Sequence, residues 1–110
     1  MPWYAEPLLP PDVERAINVL GANAARVAVL GYIGEHPHST VREIADGTEL
    51  ALGTVKNHVA ALVALGALEA DPAPTVPYAL RRGMRTRYVV QQQQLADQYR
   101  KLGRLLGLQS

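Results

Sequence analysis

The stretch TVREIADGTELALGTVKNHVAALVALGALEA, residues 40–70, decides the fold. Ser39 and Thr40 are both residue types that cap helices, and Glu43 follows three or four residues on, as a capping box needs. A short helix is predicted over Val41–Asp46, with Ile44 and Ala45 turned inward, and Gly47–Leu50 reads as a turn. A longer helix is predicted over Leu52–Leu65, because Val55, Val59 and Leu62 recur at i, i+4 and i+7. Gly66 suits a left-handed helix terminator. The hydrophobic period then shortens: Leu68 and Ala70 alternate with Glu69 and Asp71, the pattern of a half-buried strand. A short helix, a tight turn and a longer helix together make a helix-turn-helix.

Upstream, Pro11–Leu20 reads as a helix, with Pro11 at its first position, Asp12 and Glu14 near its positive end and Val13, Ile17 and Leu20 on one face. A second helix is predicted over Ala24–Gly34, capped by Asn23, with Val27, Leu30 and Ile33 inward and Val29 beside them. Before both lies an extended arm, residues 1–11, which holds four prolines and carries Trp3, Tyr4, Leu8 and Leu9 as packing candidates. Downstream, Met84, Thr86, Tyr88 and Val90 share one face of a second strand, with Arg85, Arg87 and Val89 on the other. The intervening Pro72–Gly83 has three prolines and is predicted to be extended and semi-rigid. Gln92–Leu108 reads as a terminal helix striped by Leu95, Tyr99, Leu102 and Leu106.

The fold class is therefore mainly α, in the α+β sense, as one domain over residues 1–110. After the arm, residues 12–66 are helical and include the helix-turn-helix at 40–65. Residues 67–90 form a two-stranded β-hairpin and 91–108 a C-terminal helix. Residues 24–90 resemble the winged helix-turn-helix regulators of the ArsR and MarR type. The matching positions are Ile44 and Ala45 in the first helix, Leu50 in the turn and Thr54–Val55 opening the second, then Leu62, Gly66 and Leu68 at the junction with the wing. Two positions depart from that pattern. Ala51 stands where a serine cap is common, and Glu49 where a turn glycine is common. Thr54–Val59 also resembles the recognition helix of LuxR-type regulators, which lack a wing, but the alternating Leu68–Asp71 and the arginine-rich second strand favour the winged form.

Both resemblances imply binding to double-stranded DNA. With Val55, Val59 and Leu62 inward, Gly53, Thr54, Lys56, Asn57 and Ala60 face outward near the helix end that meets base edges in such folds. Asn57 has the donor–acceptor pair that reads adenine and Lys56 the donor for guanine, while Thr54 suits a phosphate or a thymine methyl. Arg81, Arg82, Arg85 and Arg87 fall within a span of seven residues with no acid between them, a set for phosphates or a narrow minor groove. Ser39 and Thr40 are candidates for a phosphate at a helix N-terminus, or for plain capping. The resemblance further implies a homodimer joined through first and last helices, here Val13, Ile17, Leu20, Leu95, Tyr99, Leu102 and Leu106. Such a dimer binds a pseudo-palindromic site. The alternative is that the last helix folds back onto its own domain.

Charge supports a polyanionic partner. The net charge of +1 hides a split: residues 1–75 carry four Lys or Arg against nine Asp or Glu, and residues 76–110 carry seven against one. No cysteine is present, which excludes disulfides, thiolate metal sites and cysteine catalysis and fits a cytoplasmic, nucleoid-associated protein. His58 reads as a packing residue. His36 and His38 have no further ligands nearby, and the last helix has Asp97 but no histidine, so neither a metal nor a cofactor is expected. No phosphate loop, nucleophile triad or paired carboxylates point to an enzyme, and neither a signal peptide nor a membrane span is expected. The reading is a sequence-specific DNA-binding transcriptional repressor. Two alternatives stay open: an accessory factor of a phage or mobile element, and a winged-helix protein-interaction module working through Trp3 and the last helix.

Overall fold

Of the two candidate caps, Thr40 is the one that forms the capping box with Glu43. The Glu43 amide donates to the Thr40 hydroxyl at 3.3 Å, and the Thr40 amide donates to the Glu43 carboxylate at 2.9 Å. The structure is a computed structural model that describes residues 9–20, 23–81 and 83–108. Its elements run α1 (Pro11–Leu20), α2 (Ala24–Glu35), α3 (Val41–Thr48), α4 (Leu52–Ala64), β1 (Leu68–Asp71), α5 (Tyr78–Arg81), β2 (Arg87–Val90) and α6 (Gln92–Leu105). This is the mainly helical fold with an antiparallel two-stranded wing that the sequence predicts. Of the arm, Trp3, Tyr4 and Leu8 lie outside the described residues.

The turn between α3 and α4 is tighter than predicted. Thr48 stays helical, its hydroxyl donating to the Ile44 carbonyl at 2.7 Å, and the chain reverses at Glu49 in a left-handed conformation (φ 59°, ψ 28°). Glu49 thus does the work of the glycine found in related turns. An L-residue in that region costs on the order of 1–2 kcal/mol. Glu49→Gly is expected to raise unfolding stability by about 0.5–1 kcal/mol, because the added freedom of glycine in the unfolded chain offsets part of the relief. An upward shift of the urea midpoint at unchanged slope is the readout. At the far end of α4, Gly66 (φ 82°) closes a Schellman motif, with the Ala67 amide on the Leu62 carbonyl at 2.9 Å and the Gly66 amide on the Val63 carbonyl at 3.1 Å.

Val29, Leu30, Ile33, Ile44, Val55, Val59, Leu62 and Leu68 form the core between α2, α3, α4 and the wing. Val27 is not among them; it is 47% exposed. The buried stripe of α2 runs through Val29, Leu30 and Ile33, with Arg26 half-buried one turn before it. On α1 the buried residues are Val13, Ala16 and Val19, with Ile17 only half-buried; the Leu20 side chain lies outside the described set. The face predicted for α1 is therefore rotated, because α1 packs along α6 of its own chain, where Lys101 lies 3.8 Å from Asp12 and 3.2 Å from Asp97. The last helix folds back onto its own domain.

The wing pairs Leu68 with Val90 and Asp71 with Arg87. Pairing stops there because Pro72, which has no amide hydrogen to donate, follows Asp71. The second strand is accordingly shorter than predicted, and Met84–Thr86 lie outside it. The predicted extended link instead contains the single turn α5, entered after Pro77. Ser39 adds an isolated bridge to Tyr88, tying the start of α3 to the wing through bonds of 2.9 and 3.0 Å. Two residues were too short a segment to read as a strand.

Candidate nucleic-acid interface

The two faces of α4 divide as its sequence requires. Val55, Val59 and Leu62 are buried, whereas Gly53, Lys56, Asn57 and Ala60 are exposed and Thr54 is half-buried. Ala51 precedes the helix with no side-chain cap, so the first amides of α4 keep no internal side-chain acceptor. A Cβ at Gly53 would meet nothing within 4 Å, which leaves that end open to a close-approaching ligand.

Ser39 and Thr40 are buried and their hydroxyls are committed within the chain. Ser39 donates to the His36 carbonyl and Thr40 belongs to the capping box. Capping is thus the role the geometry gives them. The wing arginines also divide. Arg87 donates to the His38 carbonyl at 2.9 Å and lies 3.8 Å from Glu43, strapping the wing to α3. The Thr40 amide and hydroxyl, helped by the nearby Arg87 and Arg85 charges, hold the Glu43 carboxyl below its ordinary range. Arg85 is exposed and has no hydrogen bond or ion pair among the described residues. Arg81 ends α5, its side chain outside the described set, and Arg82 lies outside the described residues altogether.

Arg42, on the first turn of α3, is the cation that the sequence reading missed. It is exposed, carries no internal ion pair among the described residues, and lines one groove with Lys56 and Arg85. Its signal was its place just after a cap, at the helix end nearest the wing. Among the described residues no three His, Asp or Glu side chains converge as metal ligands, and no single helix is long and apolar enough to cross a membrane.

His58 couples the outer helix to the rest of the domain. Arg26 Nε donates to its Nδ1 at 3.3 Å, and Arg26 Nη1 donates to the Asn18 carbonyl at 2.8 Å. Burial, and then the Arg26 charge, hold the imidazole below its ordinary value. In the unfolded chain a histidine titrates near ~6.5. Between that value and the lowered folded one the unfolded state binds more protons, so stability is full above about pH 6.5 and falls as pH drops through the folded pKa. His58→Gln is expected to flatten the decline in thermal midpoint measured below neutral pH. An unchanged decline would assign it to other groups.

Comparison with known proteins agrees with this geometry. Residues 27–72, less than half the chain, match the IclR helix-turn-helix domain. That match spans α2 to β1 and identifies a DNA-binding helix-turn-helix of transcription regulators; it is to the IclR type rather than to the ArsR or MarR type that the sequence resembles. No curated protein matches the chain significantly. Two solved structures share the fold. One is a possible transcriptional regulatory protein (fragment 1–100) from Mycobacterium bovis, at TM-score 0.60 and 24% identity over 87% of this chain and 91% of that one. The other is NolR from Sinorhizobium fredii, at TM-score 0.59 and 18% identity over 96% of this chain and all of that one.

Proposed function

We propose that the chain is a homodimeric transcriptional repressor that binds a pseudo-palindromic DNA site, with α4 in the major groove and the wing on the backbone or minor groove. The observation that carries this reading is the exposed Gly53–Lys56–Asn57 face of α4 in a segment matching a DNA-binding helix-turn-helix. Asn57 reads adenine and Lys56 guanine from that face, and Arg85 and Arg42 take phosphates beside it. Arg81 and Arg82 extend the basic wing in the same reading, Thr54 contacts a phosphate or a thymine methyl, and Ser39 and Thr40 serve by fixing the start of α3. Repression needs nothing beyond occupancy of an operator that overlaps a promoter.

The second copy joins through the flank of α6 that α1 leaves uncovered. Tyr99 is 66% and Leu106 64% exposed there, with Leu102 half-buried between them, while Leu95 packs against the core. The reading requires that the two-fold axis set the two α4 helices about one DNA turn apart, roughly 34 Å. Fluorescence anisotropy on selected and random duplexes tests the reading. A selected palindrome should win by about 10³-fold or more, and Asn57→Ala should shrink that preference by ~1–3 kcal/mol. Tyr99→Lys with Leu106→Lys should give a monomer in sedimentation. Equal affinity for every duplex, or a wild-type monomer on DNA, defeats it.

A further inference from the structure

The groove between α4 and the wing has an apolar character that DNA does not explain. Along α4 its wall is Leu52, Lys56, Ala60 and then Val63 and Ala64, a span of about 18 Å at ~1.5 Å per residue. Across from them stand Ala70, Pro72 and Pro74 of the wing. Three cations come in from three different elements, Arg42 of α3, Lys56 of α4 and Arg85 of the wing, and no acidic residue lines the groove. Its volume is about 880 Å³, within the size of small-molecule sites. A phosphate backbone would use the cations, but it gains nothing from Val63, Ala64, Pro72 and Pro74.

We propose that this groove binds an anionic amphiphile, a monocarboxylate with a medium-length hydrocarbon tail, whose head is held by Arg42, Lys56 and Arg85 and whose tail lies along α4 against Pro72 and Pro74. Charge complementarity selects the head, since three cations and no carboxylate line the groove. The apolar walls select a tail and disfavour a free inorganic anion. Resting on the DNA-binding reading, one consequence follows: ligand and DNA compete for Lys56 and Arg85, so the amphiphile releases the operator.

Decanoate is the probe, titrated into the full chain by calorimetry without DNA. Decanoate should bind with a dissociation constant below about 1 mM, with decanol and acetate each at least ~10-fold weaker. Ala64→Phe fills the apolar wall away from the three cations and should weaken decanoate by about tenfold or more. Arg42→Ala should weaken decanoate while bringing its affinity toward that of decanol. Decanol binding as tightly as decanoate, no loss in the folded Ala64→Phe variant, or no heat up to ~10 mM would each overturn the site. A second titration, on an anisotropy-labelled duplex, separates the two readings. Decanoate binding with no duplex binding defeats the DNA reading and leaves the site standing. Duplex binding that decanoate fails to displace defeats the competition.

Discussion

Arg42→Ala together with Arg85→Ala should flatten the salt dependence of duplex binding by close to two phosphate contacts. Each contact contributes about −0.9 to the slope of log K against log salt. The double variant should therefore have a slope shallower by ~1.8, and near 0.1 M salt it should bind roughly 60-fold more weakly than the wild type if the two agree near 1 M, since two contacts are worth ~0.9 decade each. Both side chains are exposed and neither has an internal partner among the described residues, so folding stability should move by no more than about 0.5 kcal/mol. Arg87→Ala provides the contrast. Its guanidinium is already held by the His38 carbonyl and Glu43, so its loss should change the slope by less than one contact and instead loosen the wing. Faster amide exchange at Tyr88, whose amide bonds the Ser39 carbonyl at 3.0 Å, would report that loosening. If the double variant keeps the wild-type slope, the groove cations do not face the phosphates. If Arg87→Ala alone removes a full contact, the strap opens on binding.

These contrasts among arginines could not be read from the sequence, although most of the helix-turn-helix could. The start of α3 and the finish of α4 carry local chemical markers, Thr40 with Glu43 and Gly66 in its left-handed turn. Burial on α4 follows a period that hydrophobic side chains reveal directly. On α2 spacing alone does not choose between Val27 and Val29; packing buries Val29 and leaves Val27 exposed. Spacing also failed on α1, where the buried face depends on a helix some eighty positions later in the chain. The wing was readable in outline, from alternation, but its length was set by where Pro72 interrupts pairing. On the interface, type and spacing placed Gly53, Lys56 and Asn57 outward, as the structure has them. Residue type could not tell Arg87 from Arg85, since only Arg87 meets the His38 carbonyl, a backbone group forty-nine positions away. Nor could it show that Ser39 and Thr40 spend their hydroxyls internally.

The largest effect on stability should come from Leu62→Ala. Leu62 is fully buried on the inward face of α4, within the cluster that includes Ile33, Ile44 and Val55. Its carbonyl also accepts the Ala67 amide at 2.9 Å in the motif that turns α4 into the wing, so the side chain and the backbone of one residue fix both the helix and its exit. Truncation removes the transfer free energy of three carbons and leaves a cavity that the packed helices cannot close, a loss of about 2–5 kcal/mol. For a domain of this size each kcal/mol moves the midpoint by roughly 4–8 °C, so a fall of at least ~8 °C is expected in a thermal melt. Against a typical total of ~5–15 kcal/mol, that leaves a marginal fold. Leu80→Ala is the matched control: the same chemistry at a side chain 69% exposed should change stability by less than about 0.5 kcal/mol. The two effects are separable in one set of melts and binding curves. Leu62→Ala should lower the melting point while leaving the salt slope of the folded fraction intact, whereas Arg42→Ala with Arg85→Ala should do the reverse. A small melting-point change in Leu62→Ala would mean that α3 and α4 collapse onto the vacated space, and that the outward face of α4 is held less rigidly than its burial pattern requires.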